Sequence, residues 1–239
     1  VLITGATDGL GKATALALAR LGARVLIHGR DVGRLAAAKQ AIIEASGNDK
    51  VETYCANLAA LAEVRSLAGT IEAAHPALDM LINNAASGGG KPGDSRRELS
   101  VDGYEIRFAV NYLAPFLLTR LLLPCLRQGA PSRIINVSSA GQRAIDFDDV
   151  MMERNYEPLD AYRQSKLAQI MFTFDLAEQV RGSGITVNAL HPASLMPTKM
   201  VQAYFGRTME TLEDGVASML KVATDPALDG VSGVYFDHQ

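Results

Sequence analysis

The chain has 239 residues, 48% of them apolar, and a formal net charge of −3, which is material for one large domain and too little for two. No basic run accompanies that balance, so nucleic acid is excluded as a partner. The most apolar stretch, FLLTRLLLPCL (116–126), is too short to span a bilayer and contains Arg120 and Pro124, so no membrane partner is expected. Cys55 and Cys125 lack metal-ligand spacing, so no metal is expected and a reducing cytoplasm suits the chain.

The chain starts inside an apolar strand, VLIT (1–4), with no Met and no signal peptide, so a few residues are expected before Val1. A helix at 10–21 leads to the strand ARVLIH (23–28), and a helix at 31–46 opens on Asp31, a suitable N-cap. Next come the strand KVETYC (50–55), a helix at 59–75 and the strand LDMLIN (78–83), followed by a flexible loop, GGGKPGDS (88–95). A helix at 102–127, the strand RIINVS (133–138), a helix at 160–182, the strand ITVNAL (185–190), a helix at 207–223 and the strand GVYF (233–236) complete the chain. Continuous apolar strands alternating with helices specify an α/β fold: one Rossmann-type, doubly wound, seven-stranded parallel sheet in a single domain, 1–239. Its ligand site is expected at the carboxyl ends of the strands.

Two motifs lie at those ends. Gly5, Gly9 and Gly11 fall between the first strand and the first helix, where glycine lets the backbone approach a pyrophosphate and the helix start offers free N–H groups. In DAYRQSK (160–166), Tyr162 and Lys166 stand four apart on one helix face, and an ammonium there favours the phenolate and lowers the tyrosine pKa. Tyr-x-x-x-Lys is common by chance, but here it follows the glycine loop, NNAA (83–86) and the serines that end the fifth strand.

TGATDGLG, NNAA, VNYLAPFLLT (110–119), NVSS and DAYRQSK together resemble the short-chain dehydrogenase/reductase family over essentially the whole chain. FDDV and YEPLDAYRQSKLAQIMFTFDLA are similar to its retinol dehydrogenase, WW-domain oxidoreductase and protochlorophyllide reductase-like branch. That resemblance implies hydride transfer between a nicotinamide and a carbonyl or alcohol carbon of a small, apolar substrate. It casts Tyr162 as acid/base and Ser139 as the hydroxyl on the substrate oxygen, with Ser138 in reserve. Lys166 depresses the Tyr162 pKa and binds the nicotinamide ribose, and Asn111 holds a water relay to Lys166. Gly5, Thr7, Asp8, Gly9, Leu10 and Gly11 would hold the diphosphate and adenosine ribose.

Gly29 stands where an acid would select NAD, and Arg30 follows, so NADP(H) is preferred, with NAD(H) as the second cofactor. Arg30 could otherwise be a solvated helix-start residue. Asn57, with Leu58, takes the place of the family's adenine-binding Asp, or caps the next helix. Asn84 and Ala85 would border the nicotinamide ribose, with Asn84 tying the central strands together, and Ala86 replaces the family's glycine. Pro192 and Thr198 would meet the nicotinamide beneath a lid at 194–212, whose Met and aromatic residues line an apolar pocket or simply pack. Asp8 stands where some NADP-dependent members carry a base, and could pair with Lys12 four residues on. His28, His75, His191 and His238 read as structural, with no acid at a useful spacing. A homodimer or homotetramer is expected through the 102–127 and 160–182 helices. A non-catalytic dinucleotide sensor is the alternative function, disfavoured because Ser139, Tyr162, Lys166 and Asn111 are all present. Sugar-nucleotide epimerase chemistry would need a C-terminal substrate domain.

Overall fold

In a computed structural model, which describes residues 1–90, 93 and 95–238, consecutive strand residues send their side chains to opposite faces of one sheet. Lys91, Pro92 and Asp94, within the loop expected at 88–95, and Gln239 lie outside the described residues. The strands are β1 (Leu2–Ile3), β2 (Val25–Gly29), β3 (Val51–Cys55), β4 (Met80–Asn83), β5 (Ser132–Val137), β6 (Ile185–His191) and β7 (Tyr235–Asp237). They form a parallel sheet ordered β3-β2-β1-β4-β5-β6-β7, whose direction of winding reverses between β1 and β4. Leu2, Leu26, Leu81 and Ile134 point into one core layer with Leu118, Leu122, Phe172 and Leu176. Their neighbours Ile3, Ile27, Ile82 and Ile135 point into the other, against Leu18, Leu35, Ile42 and Met219. Because both faces are covered, the central strands carry no alternation of polar residues; on the edge strand β3 it returns.

The helices are α1 (Gly9–Arg20), α2 (Val32–Ser46), α3 (Leu61–Ala74), α4 (Ile106–Gln128), α5 (Pro158–Gln179), α6 (Lys199–Phe205) and α7 (Leu212–Thr224). Asp31 caps α2 by accepting a hydrogen bond from the Arg34 N–H (2.8 Å). Helix α4 begins later than its apolar pattern suggests, because the Glu105 carboxylate caps it through the Phe108 N–H (2.7 Å), and it widens into a π turn over Ala109–Leu113. By length and composition α4 could cross a membrane, yet 56% of its most apolar window is buried inside the fold. The short helix α6 is not legible as periodicity; Thr198 caps its start, and Gly206, at φ 61°, ends it.

Candidate active site

A cleft of about 1020 Å³ runs along the carboxyl ends of the strands. It is lined by all the predicted site residues except Asn111: Gly5, Thr7, Asp8, Gly9, Leu10, Gly11, Arg30, Asn57, Leu58, Asn84, Ala85, Ser139, Tyr162, Lys166, Pro192 and Thr198.

At the turn from β1 into α1, Gly5 and Gly9 take positive φ (66° and 51°), which a side chain would strain. A methyl group on Gly11 would stand 2.4 Å from both Asn84 Nδ2 and the Gly5 carbonyl oxygen. Asn84 Nδ2 donates to the carbonyls of Thr4 (2.9 Å) and Gly5 (3.1 Å), locking the loop to the end of β4. The N–H groups of the first helical turn, Leu10 and Gly11 among them, have no acceptor within the helix and suit an anion. The loop thus fits a dinucleotide diphosphate. Gly11→Ala is expected to weaken NADPH binding by about tenfold or more and to lower Tm by a few degrees, since overpacking a tight contact costs ~1–3 kcal/mol. Wild-type affinity in a fluorescence titration would remove the loop from the cofactor site.

Asn84 therefore fastens the loop and, through Thr4, joins the ends of the central strands β1 and β4. Its neighbour Asn83 adds a tie to the next strand, its Nδ2 donating to Asn136 Oδ1 (2.8 Å) on β5 and to Thr119 Oγ1 (3.0 Å) on α4. Ala86 is not among the residues with positive φ, which explains why it can stand in for glycine. Behind the loop, buried His28 donates from Nε2 to the Ala56 carbonyl (3.0 Å). Its Nδ1 is then left to accept the Gly5 N–H (3.3 Å). Burial lowers its pKa to about 4, which keeps the ring neutral for both bonds.

At the far end of the loop Asp8 caps α1 through the Gly9 N–H (2.9 Å). Its other oxygen pairs with Lys199 Nζ (2.7 Å) and Arg34 Nη2 (3.1 Å), not with Lys12. Two cations from other elements outcompete the local i,i+4 partner, and the Lys199 bond leads in holding the Asp8 carboxyl below its ordinary pKa. Arg30 is exposed on the cleft wall and makes no ion pair among the described residues. The small residue before it has a packing reason too: a methyl on Gly29 would lie 2.6 Å from Thr7 Cγ2. Arg34 also lines this wall, a residue that motif spacing does not single out although it lies one helical turn beyond Arg30. Asn57 uses its Oδ1 to accept the Ala59 N–H (3.0 Å), turning the chain into α3.

At the other end, Ser139 Oγ accepts the Gly141 N–H (3.1 Å), which leaves its proton to the Tyr162 side. Ser138 Oγ instead donates to the Lys166 carbonyl (3.0 Å). Tyr162 stands half-buried beside Ser139, and burial raises its pKa above the ordinary value while the Ser139 hydroxyl offsets part of that shift. The expected depression by Lys166 is not found. Lys166 Nζ lies 5.8 Å from the Tyr162 ring centre and donates to the Val137 carbonyl (2.6 Å), and burial lowers its own pKa to about 7, weakening the cation. Asn111, fully buried in the π turn, binds the Ser87 N–H through Oδ1 (2.7 Å). Its Nδ2 donates to the Ser87 carbonyl (3.0 Å) and Ser165 Oγ (2.9 Å), clamping the β4 loop to α5 rather than touching Lys166.

The segment 194–212 is closed at its neck, where the Ser194 N–H meets the Glu210 carboxylate and the Met209 N–H meets the Leu195 carbonyl (3.1 Å). Met200 and Tyr204 on α6 sit over Gly88 and Gly89, and Thr198 approaches Gly9. Two of the four histidines meet acids: His75 pairs with Glu52 (3.0 Å), and His238 lies between its neighbour Asp237 and the distant Glu210 (2.9 Å each).

A parallel sheet with a glycine cradle at its winding reversal, and a tyrosine and serine converging beyond it, defines an NAD(P)-dependent oxidoreductase of the CH–OH/C=O pair. The chain belongs to the short-chain dehydrogenase/reductase family, and the short chain dehydrogenase family model matches residues 1–207. Retinol dehydrogenase 13 of Homo sapiens is 38% identical to it over 256 residues, covering 99% of this chain and 75% of that protein. Human retinol dehydrogenase 14 is 38% identical over 263 residues, covering 99% and 77%. Among solved structures, a protein from Mycobacterium paratuberculosis has a TM-score of 0.80 at 32% identity, over 99% of this chain and 79% of that one. A short chain dehydrogenase from Escherichia coli CFT073, complexed with NADPH, has a TM-score of 0.81 at 26% identity, covering 100% and 95%.

Proposed function

We propose that this enzyme is an NADP(H)-dependent oxidoreductase for an apolar carbonyl or alcohol, with Tyr162 as the proton-transfer group. The observation that carries this reading is the meeting of the Tyr162 and Ser139 hydroxyls in one cleft with the glycine cradle and with Arg30, which makes no ion pair among the described residues. The nicotinamide, when bound, supplies or accepts the hydride. Tyr162, held as a neutral phenol by burial, gives its proton to the carbonyl oxygen during reduction, and Ser139 donates a second hydrogen bond to the same oxygen. Gly5 to Gly11 hold the diphosphate, Arg30 the 2′-phosphate, Asn57 and Leu58 border the adenine, and Asn84, Ala85, Lys166, Pro192 and Thr198 border the nicotinamide and its ribose.

Leu159, Met200, Val201, Tyr204, Phe205 and Met209 support an apolar substrate, since they make the lid side of the cleft adaptable and water-poor. Two relatives named for retinol, an apolar alcohol, support the same class. We place the enzyme in the cytoplasm, a reading supported by its two free cysteines. A homodimer or homotetramer is supported by the apolar face of α5, where Met171 and Phe174 are 46% and 43% exposed. A panel of apolar aldehydes, ketones and alcohols, followed by nicotinamide absorbance with both cofactors, tests the function. Turnover with NADPH is expected, and NADPH binding without turnover of any panel member would favour the sensor alternative.

A further inference from the structure

Buried Lys166 has few partners. Its Nζ donates to the Val137 carbonyl (2.6 Å), and the side-chain acceptor beside it is Gln169 Oε1 (3.3 Å), three residues along α5. Gln169 is itself 1% exposed, and its Nε2 has no hydrogen-bond partner among the described residues. An orphaned buried amide N–H is a standing cost that an apolar side chain of equal length would avoid, so the amide calls for an explanation in its oxygen. Flipping the amide would turn a donor towards the ammonium, so Lys166 fixes its orientation. The turn carrying both residues is held to the sheet: Thr173 Oγ1 donates to the Gln169 carbonyl (2.9 Å) and accepts from Asn136 Nδ2 (2.9 Å). Asn136 is in turn held by Asn83.

We propose that Gln169 is a positioning residue for Lys166, its amide oxygen keeping the buried ammonium charged and aimed along the cleft floor. Its value to catalysis rests on the function proposed above. Among the described residues no carboxylate, histidine or arginine from β4, β5, β6 or the lid offsets the burial of Lys166, and Tyr162 is its titratable neighbour. Asn111 is directed elsewhere, its amide bonding Ser87 and Ser165.

The test is the titration of Lys166 followed by NMR of ¹³Cε-labelled lysine, assigned with Lys166→Met, in wild type, Gln169→Met and Gln169→Glu. Removing the acceptor should lower the Lys166 midpoint by about one pH unit, whereas the carboxylate should raise it by about one to three. The alkaline limb of NADPH-driven carbonyl reduction should move in the same two directions. Midpoints unchanged in folded Gln169→Met and Gln169→Glu would overturn the proposal, even if both variants lose thermal stability. Should Gln169→Met fail to fold, the nearly isosteric Gln169→Glu decides alone. A wild type that reduces no carbonyl counts against the proposed function, and the lysine titration still tests the role of Gln169 independently.

Discussion

Tyr162→Phe is expected to lower the reduction kcat by about three orders of magnitude while leaving the NADPH Kd within about twofold. Positioned acid–base groups contribute ~10²–10⁴ to rate, and here the phenol is bonded to Ser139. Phenylalanine keeps the ring, so the packing near Lys166 stays, while the hydroxyl is lost with its proton and its bond to Ser139. Burial holds Tyr162 above the ordinary tyrosine value of about 10, so it remains protonated across the neutral range and is already in the form reduction needs. Alcohol oxidation needs the phenolate, so its rate should climb as pH rises towards that value. Single-turnover reduction with saturating NADPH separates the chemical step from binding. Near-wild-type turnover in the phenylalanine variant would move the proton donor to another group. Ser139→Ala should be milder, since it removes one hydrogen bond to developing charge and leaves the proton source in place.

The sheet is legible in the sequence because burial on both faces demands uninterrupted apolar strands, and those runs stand out in LIT, VLIH, MLIN and RIINV. The glycine loop is legible for a related reason: positive φ at Gly5 and Gly9 and the 2.4 Å approach at Gly11 leave no other residue type there. What does not show is partnership across the chain. Asp8 has Lys12 at helical spacing, yet its partners come from α2 and α6, 26 and 191 positions away. Asn83 and Asn84 are adjacent and chemically identical, and the strand pleat alone sends one to Asn136 and the other to Gly5. Ser138 and Ser139 are separated in the same way. Spacing alone makes Lys166 act on Tyr162, but burial works on both groups at once: it raises the phenol and lowers the ammonium. No local pattern carries that information.

Arg30→Ala is expected to weaken NADPH binding by about 10- to 100-fold and NADH binding by less than about twofold. A charge-assisted bond to phosphate is worth ~1.5–3 kcal/mol, and NADH has no 2′-phosphate to lose it. The specificity depends on Arg30 having no ion pair among the described residues, whereas Arg34 and Lys199, on the same side of the cleft, are drawn to Asp8. These are exposed pairs, with Arg34 50% and Lys199 82% accessible, so each is worth ~1 kcal/mol or less and yields readily to a stronger anion. A 2′-phosphate beside Arg30 is such an anion, and Arg34 is placed to turn to it. Arg34→Ala should then cost NADPH a smaller part of its affinity, and the double variant more than either single one. Asp8→Ser keeps a side-chain oxygen to cap α1 and releases Arg34, so it should tighten NADPH by about two- to threefold without helping NADH. If Asp8→Ser instead lost most of its affinity for both cofactors, the carboxylate would be holding the loop together through Lys199 and Arg34. Equal losses of NADPH and NADH in Arg30→Ala would place the 2′-phosphate away from β2 and overturn the NADP preference.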